Sequence, residues 1–298
     1  MPIPTTQFPG AIDTPAGLQR PVNNWTVALQ AAVAIGDTTI NVGAGPLLTL
    51  LAAAQPTNGV LSIGNEVILY GWIDTAAISA FAGGNDAFVR TWYDGGTVGG
   101  WDMTQASTGS QPRIVAAGIM DTLGGIAAVH AHDNSRFLEA VADGGEAASH
   151  MASAVASLES ATSNFGRLLS LGTPSSSEEN SANTWAALLR SGANQQVYTF
   201  FSNRAPAALN VTYGSAFLLQ TRIGTNTVAA RVNASAENIN SADVSPNLTY
   251  TRARIFRVAT ASPFWRGRAN EITLYATDPG STIRDFVRDN QNAAFSVY

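Results

Sequence analysis

Residues 87–115 read AFVRTWYDGGTVGGWDMTQASTGSQPRIV. Within 91–112 stand two tryptophans, one tyrosine, two aspartates and five glycines. Trp92 and Tyr93 are neighbours on an extended segment, so one faces a core and the other does not. The Asp-Gly-Gly and Gly-Gly-Trp-Asp pairs around Asp94 and Asp102 predict a turn, because Gly supplies positive φ and Asp binds nearby backbone N–H groups. The stretch therefore reads as strand, turn, strand.

The same grammar continues. FGRLLSLG (165–172), TWAALLR (184–190), QVYTFFS (196–202), AFLLQTR (216–222), RARIFRV (252–258) and NEITLYA (270–276) are short and rich in β-branched, leucine or aromatic residues. Gly, Asn, Pro or Ser bounds them. Many such strands at regular spacing predict an all-β protein, an antiparallel sandwich of the jelly-roll type. DTAAISAFAG (74–83) predicts a short helix capped by Asp74 and stopped by Gly83. AASHMASAVASLES (147–160) fits a helix through Met151, Val155 and Leu158, but its Ala and Ser leave the assignment open. STIRDFVRDNQNAAFSVY (281–298) predicts a closing helix.

Three segments are expected. Residues 1–25 hold Pro2, Pro4, Pro9, Pro15 and Pro21 and read as an extended arm. Residues 26–72 hold four short strands, TVALQAAV, TTINV, GVLSI and EVILY, and read as a small β-module. Residues 73–298 form the sandwich. The N-terminus has no basic start and no apolar stretch of the kind a secretory signal needs, and no run of 18 apolar residues predicts a membrane span.

Of 298 residues only 12% are charged, with a net charge of -5, and all basic residues are Arg. That balance argues against a nucleic-acid face. With no Cys, disulfides, thiolate metal sites and a Cys nucleophile are excluded. No phosphate-binding glycine motif and no serine-nucleophile elbow occurs.

Two segments carry a family resemblance. AFVRTWYDGGTVGGWDMTQASTGSQPRIV resembles the TWYDQSGNGNDATQ-type segment of concanavalin A-like, laminin-G-like jelly rolls in phage and bacterial surface proteins. It also resembles the catalytic domain of the B-type α-L-arabinofuranosidases. NEITLYATDPGSTIRDFVRDNQNAAFSVY resembles the ending of the same modules. The glycine-rich turn 94–100 departs from the pattern, and His132 and Arg136 stand where acids are usual. The arabinofuranosidase cysteines are absent.

The resemblance implies a virion protein of a tailed phage, a fibre, spike or decoration subunit. Residues 1–72 would dock to other virion proteins, and the jelly roll would hold host surface polysaccharide. A homo-oligomer is expected, a trimer by analogy with fibres. The alternatives are a glycoside hydrolase of arabinofuranosidase-like ancestry and a purely architectural subunit. Glycosidases need two carboxyls at a set distance. Asp94, Asp102, Glu178, Glu179, Glu237, Asp243, Glu271 and Asp278 are scattered, and no pair can be placed, so no catalytic residue and no enzymatic activity is expected.

Tyr93, Asp94, Trp101, Asp102 and Trp265 are the candidate glycan-binding residues, since a flat aromatic covers the C–H face of a sugar. Trp185 is a further aromatic candidate, and Trp265, in SPFWRGR, looks exposed. His130 and His132 lie two apart on one face but lack a recognised zinc spacing. No cofactor is expected; Asp133 and Asn134 are weak Ca2+ candidates by analogy with lectin-like sandwiches. The arginines 252, 254, 257, 266 and 268 read as a solvated strand face.

Overall fold

The computed structural model describes residues 6–8, 39–41, 47–49, 58–63, 66–71, 82, 84–92, 101–133, 135–141, 146–147, 149–159, 166–172, 185–191, 195–201, 205–241, 248–257, 264–275 and 277–298. The protein is an all-β sandwich of antiparallel strands. One sheet has ten strands. Its spine runs from Ile119–Met120 through Arg113–Ala116, Val129–Ala131, Gly267–Tyr275, His150–Ser157, Ala216–Gly224 and Thr227–Val232 to Asn238–Asn240. The other has eight, in the order Leu209–Asn210, Gln196–Phe201, Trp185–Ser191, Arg167–Gly172, Arg252–Ile255, Leu138–Val141, Met103–Thr104 and Thr91–Trp92.

The core lies between the sheets. Ala152, Ala154 and Ala156 alternate inward from one sheet, with Ala269, Ile272 and Leu274 beside them. Leu138, Ala140, Ala253, Ile255, Leu169 and Leu171 point inward from the other. Small alanines on one side leave room for Trp185 and Trp265, both fully buried. This is the interleaving of large and small that close packing demands.

The segment left open between helix and strand, 147–160, is a strand over His150–Ser157 with all eight residues buried. Its outward residues Met151 and Val155 are covered by the helix Ser281–Phe295 through Val287 and Phe295. A strand buried on both faces loses the apolar-polar alternation that marks an ordinary strand. Of the helix expected over 74–83, only Ala82 is described, its carbonyl accepting Asn85 N–H at 2.9 Å.

In the N-terminal part, Asn58–Ile63 pairs with Glu66–Gly71, and Thr39–Asn41 pairs with Leu47–Thr49. The strand expected over 26–33 lies outside the described residues. Residues Thr6–Phe8 add a short strand to the sandwich itself, opposite Ile272–Leu274.

The chain passes between the sheets at 264–267. Phe264 bridges Arg167 and Arg257 at the eight-stranded side, and Gly267 opens the central strand of the ten-stranded sheet. At Gly267 a Cβ would stand 2.0 Å from the Ser157 carbonyl oxygen. Gly267→Ala is therefore expected to destabilise the protein by about 1–3 kcal/mol, the range for overpacking a tight site. Urea unfolding should show a lowered midpoint at unchanged slope, and a midpoint equal to that of the parent protein would refute the close approach.

Candidate functional site

The alternation that sends Leu138, Ala140, Ala253 and Ile255 inward sends their neighbours outward. Backbone registers then line up one rung across five strands of the eight-stranded sheet. Thr91 faces Thr104, Thr104 faces Glu139, Glu139 faces Arg254, and Arg254 faces Ser170. At about 4.8 Å per strand spacing the rung is roughly 19 Å long. Val141 and Arg252 form the next pair on the same face, and Val141 is 76% exposed.

Glu139 sits at the middle of the rung. Arg252 Nη1 and Arg254 Nε each donate to its Oε2 at 3.3 Å. Its side chain is 36% exposed, and Oε1 takes no donor among the described residues. Two guanidinium groups thus hold one carboxylate through a single oxygen. Arg254 is buried, Arg252 half-buried. These arginines are not a solvated face. Arg257 also departs from that expectation: its guanidinium lies 4.1 Å from the Phe137 ring centroid and 5.8 Å from that of Phe264. Beyond Ser170 the same sheet carries Tyr198 and Phe200, which cluster with Ala205 and Ala208 outside the main core.

A second polar cluster lies on the outer face of the ten-stranded sheet. His130 Nδ1 is 2.9 Å from Asp121 Oδ1, and Nε2 is 2.9 Å from Glu159 Oε2. Arg113 Nε donates to Asp121 Oδ2 at 2.7 Å, and Arg268 reaches both Glu159 and Asp121. Burial opposes the charge on His130, but its bonds to Asp121 and Glu159 outweigh it and raise its pKa. Burial likewise opposes ionisation of Asp121, and His130 and Arg113 overcome it, holding the carboxyl well below its usual range. Glu159 is lowered in the same way, against burial, by His130 and Arg268. The two carboxylates are separated by an imidazole bonded to both, so the cluster is an ionic lock rather than a carboxylate pair open to substrate.

The sequence candidates fall elsewhere. Tyr93, Asp94 and Asn134 lie outside the described residues, as do Glu178, Glu179 and Asp243. Asp102 is exposed beside Trp101. Trp101 is only 5% exposed and meets Tyr250 edge-on at 5.3 Å. Trp265, expected in an exposed loop, is wholly buried, donates from Nε1 to the Ser157 carbonyl at 3.1 Å and packs on Phe217. Trp185 donates to Thr199 Oγ1 at 2.8 Å, also in the core. All three rings are structural, with their faces turned to protein. Apolar indole bodies with one satisfied N–H suit a core better than a rim.

Asp133 accepts Ser135 N–H at 2.8 Å and Arg136 Nε at 2.8 Å, closing a turn. Burial works against its charge, and Ser135 and Arg136 outweigh that and bring it down to about 2. Its oxygens thus serve the turn, and Ca2+ coordination by it would have to displace these donors. His132 stands 5.8 Å from His130 ring to ring. His150 is apart from both, fully buried between Trp185 and Tyr250. Burial pushes it down to about 4, and neither ring nitrogen has a partner. Among the described residues, no three His, Asp or Glu side chains are grouped to hold a metal ion.

Sequence reasoning missed Glu139, Asp121 and Glu159. Glu139 meets Arg252 and Arg254 across 113 and 115 positions, a separation no local pattern encodes.

No protein-family model and no curated protein matches this sequence. Solved structures do share its fold. A GH54 α-L-arabinofuranosidase variant soaked with 4-nitrophenyl α-L-arabinofuranoside superposes with a TM-score of 0.54 and 14% identity, over 78% of this chain and 55% of that one. An arabinofuranosidase complexed with arabinofuranosyl-α-1,2-xylobiose gives 0.52 and 14%, over 85% and 60%. The chain thus spans between half and two thirds of these proteins' length. The likeness agrees with the arabinofuranosidase side of the resemblance. It also corrects the expectation that no enzymatic activity is present, since the architecture is one on which arabinofuranosidases are built. That expectation leaned on missing cysteines and on acids scattered in sequence. Neither bears on which carboxylates the fold brings to one face.

The ionic lock makes a pH prediction. His130 has a raised pKa when folded, so its contribution is complete below its unfolded value of about 6.5 and is lost as pH rises through the folded pKa. Asp121 and Glu159 are lowered, so theirs is present above the ordinary carboxylate range and lost as pH falls through the folded values. Stability should therefore peak at about pH 5–6, and His130→Asn should remove the decline above it. Urea midpoints measured from pH 4 to 9 check this; an unchanged alkaline decline in the variant would refute it.

Proposed function

We propose that this chain is a glycoside hydrolase of arabinofuranosidase-like ancestry, acting on a surface polysaccharide that lies along the outer face of the eight-stranded sheet. The observation that carries this reading is the accessible part of the cross-strand rung, Thr91, Thr104 and Glu139, with Glu139 oriented from the buried side by Arg254. Hydroxyl, carboxylate and guanidinium groups suit sugar hydroxyls, and the exposed Val141 beside them suits sugar C–H surface.

Glu139 is the carboxylate we assign to the reaction. Arg252 and Arg254 fix its orientation through Oε2, and Oε1 is left to meet the substrate. Hydrolysis by two carboxylates requires a second one, and substitution of each remaining acid in turn identifies it. In this reading residues 1–72 attach the protein to its particle, and several copies held together raise the avidity of weak sugar sites.

The test is release of sugar from arabinan and from 4-nitrophenyl α-L-arabinofuranoside. Glu139→Gln should lower kcat by about 10²-fold or more, as loss of a positioned acid, base or nucleophile does, with the melting temperature nearly unchanged. Full activity in that variant, or glycan binding by the parent protein without any bond cleavage, would sink the proposal.

A further inference from the structure

We infer that the strand Thr6–Phe8 links copies of this chain: between two copies it exchanges, each strand taking in the partner's sandwich the place it takes in its own.

The strand Gly267–Tyr275 lies within the ten-stranded sheet and has two flanks. One pairs with His150–Ser157 from Ala269 to Tyr275. The other is shared. Val129–Ala131 takes Gly267 to Ala269, and Thr6–Phe8 takes Ile272 to Leu274. Ile272 and Leu274 are core residues, so the second slot sits on a strand that the sandwich is built around. Left empty, it would present unpaired backbone N–H and C=O groups, a template for another strand. The slot calls for an occupant, and every copy of the chain carries one.

The occupant is built to be exchanged. Pro4 and Pro9 bracket it, and proline has no N–H to give a ladder, so the pairing stays three residues long and few backbone hydrogen bonds hold it. Among the described residues it pairs with no other strand. Between it and the sandwich the chain runs through Thr39–Asn41, Leu47–Thr49, Asn58–Ile63 and Glu66–Gly71, which pair with one another and belong to neither large sheet. A strand parted from its sheet by an intervening unit finds the same pairs in a second copy, which makes swapping a low-cost route to a dimer. A stretch as long as residues 9–38 spans up to about 100 Å when fully extended, so a neighbouring slot is within reach. A chain's own strand competes at an effective concentration of roughly millimolar or below, so exchange grows as copies are brought together. Two copies that swap reciprocally close a two-fold dimer and leave no slot empty.

The test uses disulfides, since the chain has no Cys and introduced thiols are unique. Gln7 stands opposite Thr273, and directly opposed residues of antiparallel strands have Cα atoms about 4.5–5.5 Å apart, within disulfide range. Gln7→Cys and Thr273→Cys are placed in separate full-length chains, one of them carrying a size tag. The two are mixed at about 1 mM and at about 1 μM, equilibrated and oxidised. A disulfide between them forms only between copies. Covalent heterodimer is expected at the higher concentration, about tenfold or more above the yield from Gln7→Cys mixed with Ile119→Cys, an exposed position that reports random collision. Light scattering from the unsubstituted chain should show the dimer at the same concentration. Both substitutions in one chain show that the strand and slot still form, because that chain must cross-link whether the strand stays or swaps. If it closes only on itself while the mixture gives no heterodimer above the Ile119→Cys level, the strand is a strap within one chain and the inference is overturned. If it forms no disulfide at all, the pairing fails and the inference with it.

Discussion

The sandwich is closed by the contact of Ser157 with Trp265 and Gly267. The Ser157 carbonyl accepts the Trp265 indole N–H, and the same oxygen lies where a side chain at residue 267 would begin. Gly166 shows the same constraint from the other direction, since a Cβ there would stand 2.4 Å from the Phe264 carbonyl oxygen. Two glycines thus let the crossing segment 264–267 come within contact of both sheets. Phe264 bridges to the eight-stranded sheet, Trp265 fills the space between, and Gly267 starts the strand that lies between Val129–Ala131 and His150–Ser157. A wider approach would leave a void around the largest fully buried side chains, and voids in cores are costly.

Once the sheets are locked, their outer faces differ. On the ten-stranded sheet the helix Ser281–Phe295 covers Met151, Val155 and Leu218. Beyond the helix, Asp121 and Glu159 are held by His130, Arg113 and Arg268. That face is spent on stability. The eight-stranded sheet carries its polar groups in a line across the strands, with one Glu139 oxygen that takes no donor among the described residues.

How far this could be read from the sequence depends on what the residues contact. FGRLLSLG, AFLLQTR and NEITLYA were legible because β-branched, leucine and aromatic residues run between turn formers, and they appear as Arg167–Gly172, Ala216–Gly224 and Gly267–Tyr275. HMASAVAS was not legible, because its outward face is sealed by a helix more than a hundred residues later in the chain. Trp265 was misread because an indole between two arginines looks like a loop residue. Arg266 and Arg268 instead flank a plug, with Arg268 tied to Glu159 and Asp121. The arginine series was read as solvated because its acids are remote in sequence. Trp92, by contrast, is on the core side as the alternation in TWY allowed.

The choice among carboxylates follows from the same accounting. A group that attacks or protonates a sugar has to be reachable and has to keep an oxygen free. Asp121 is 5% exposed, and both its oxygens are held, by His130 and Arg268 on one and Arg113 on the other. Glu159 is engaged by His130 and Arg268. Glu271 is buried under the helix, near Gln291. Glu237 and Asp278 are drawn onto Arg222, and Asp278 also onto Arg284. Glu139 alone among these acids is gripped through one oxygen at a 36% exposed side chain, with no donor to the other oxygen among the described residues. Its two arginines come from the strand whose inward residues, Ala253 and Ile255, are core. The packing that closes the sandwich therefore also fixes the guanidinium groups that aim Glu139 outward, and a loosened core would blur the site before it unfolded the chain.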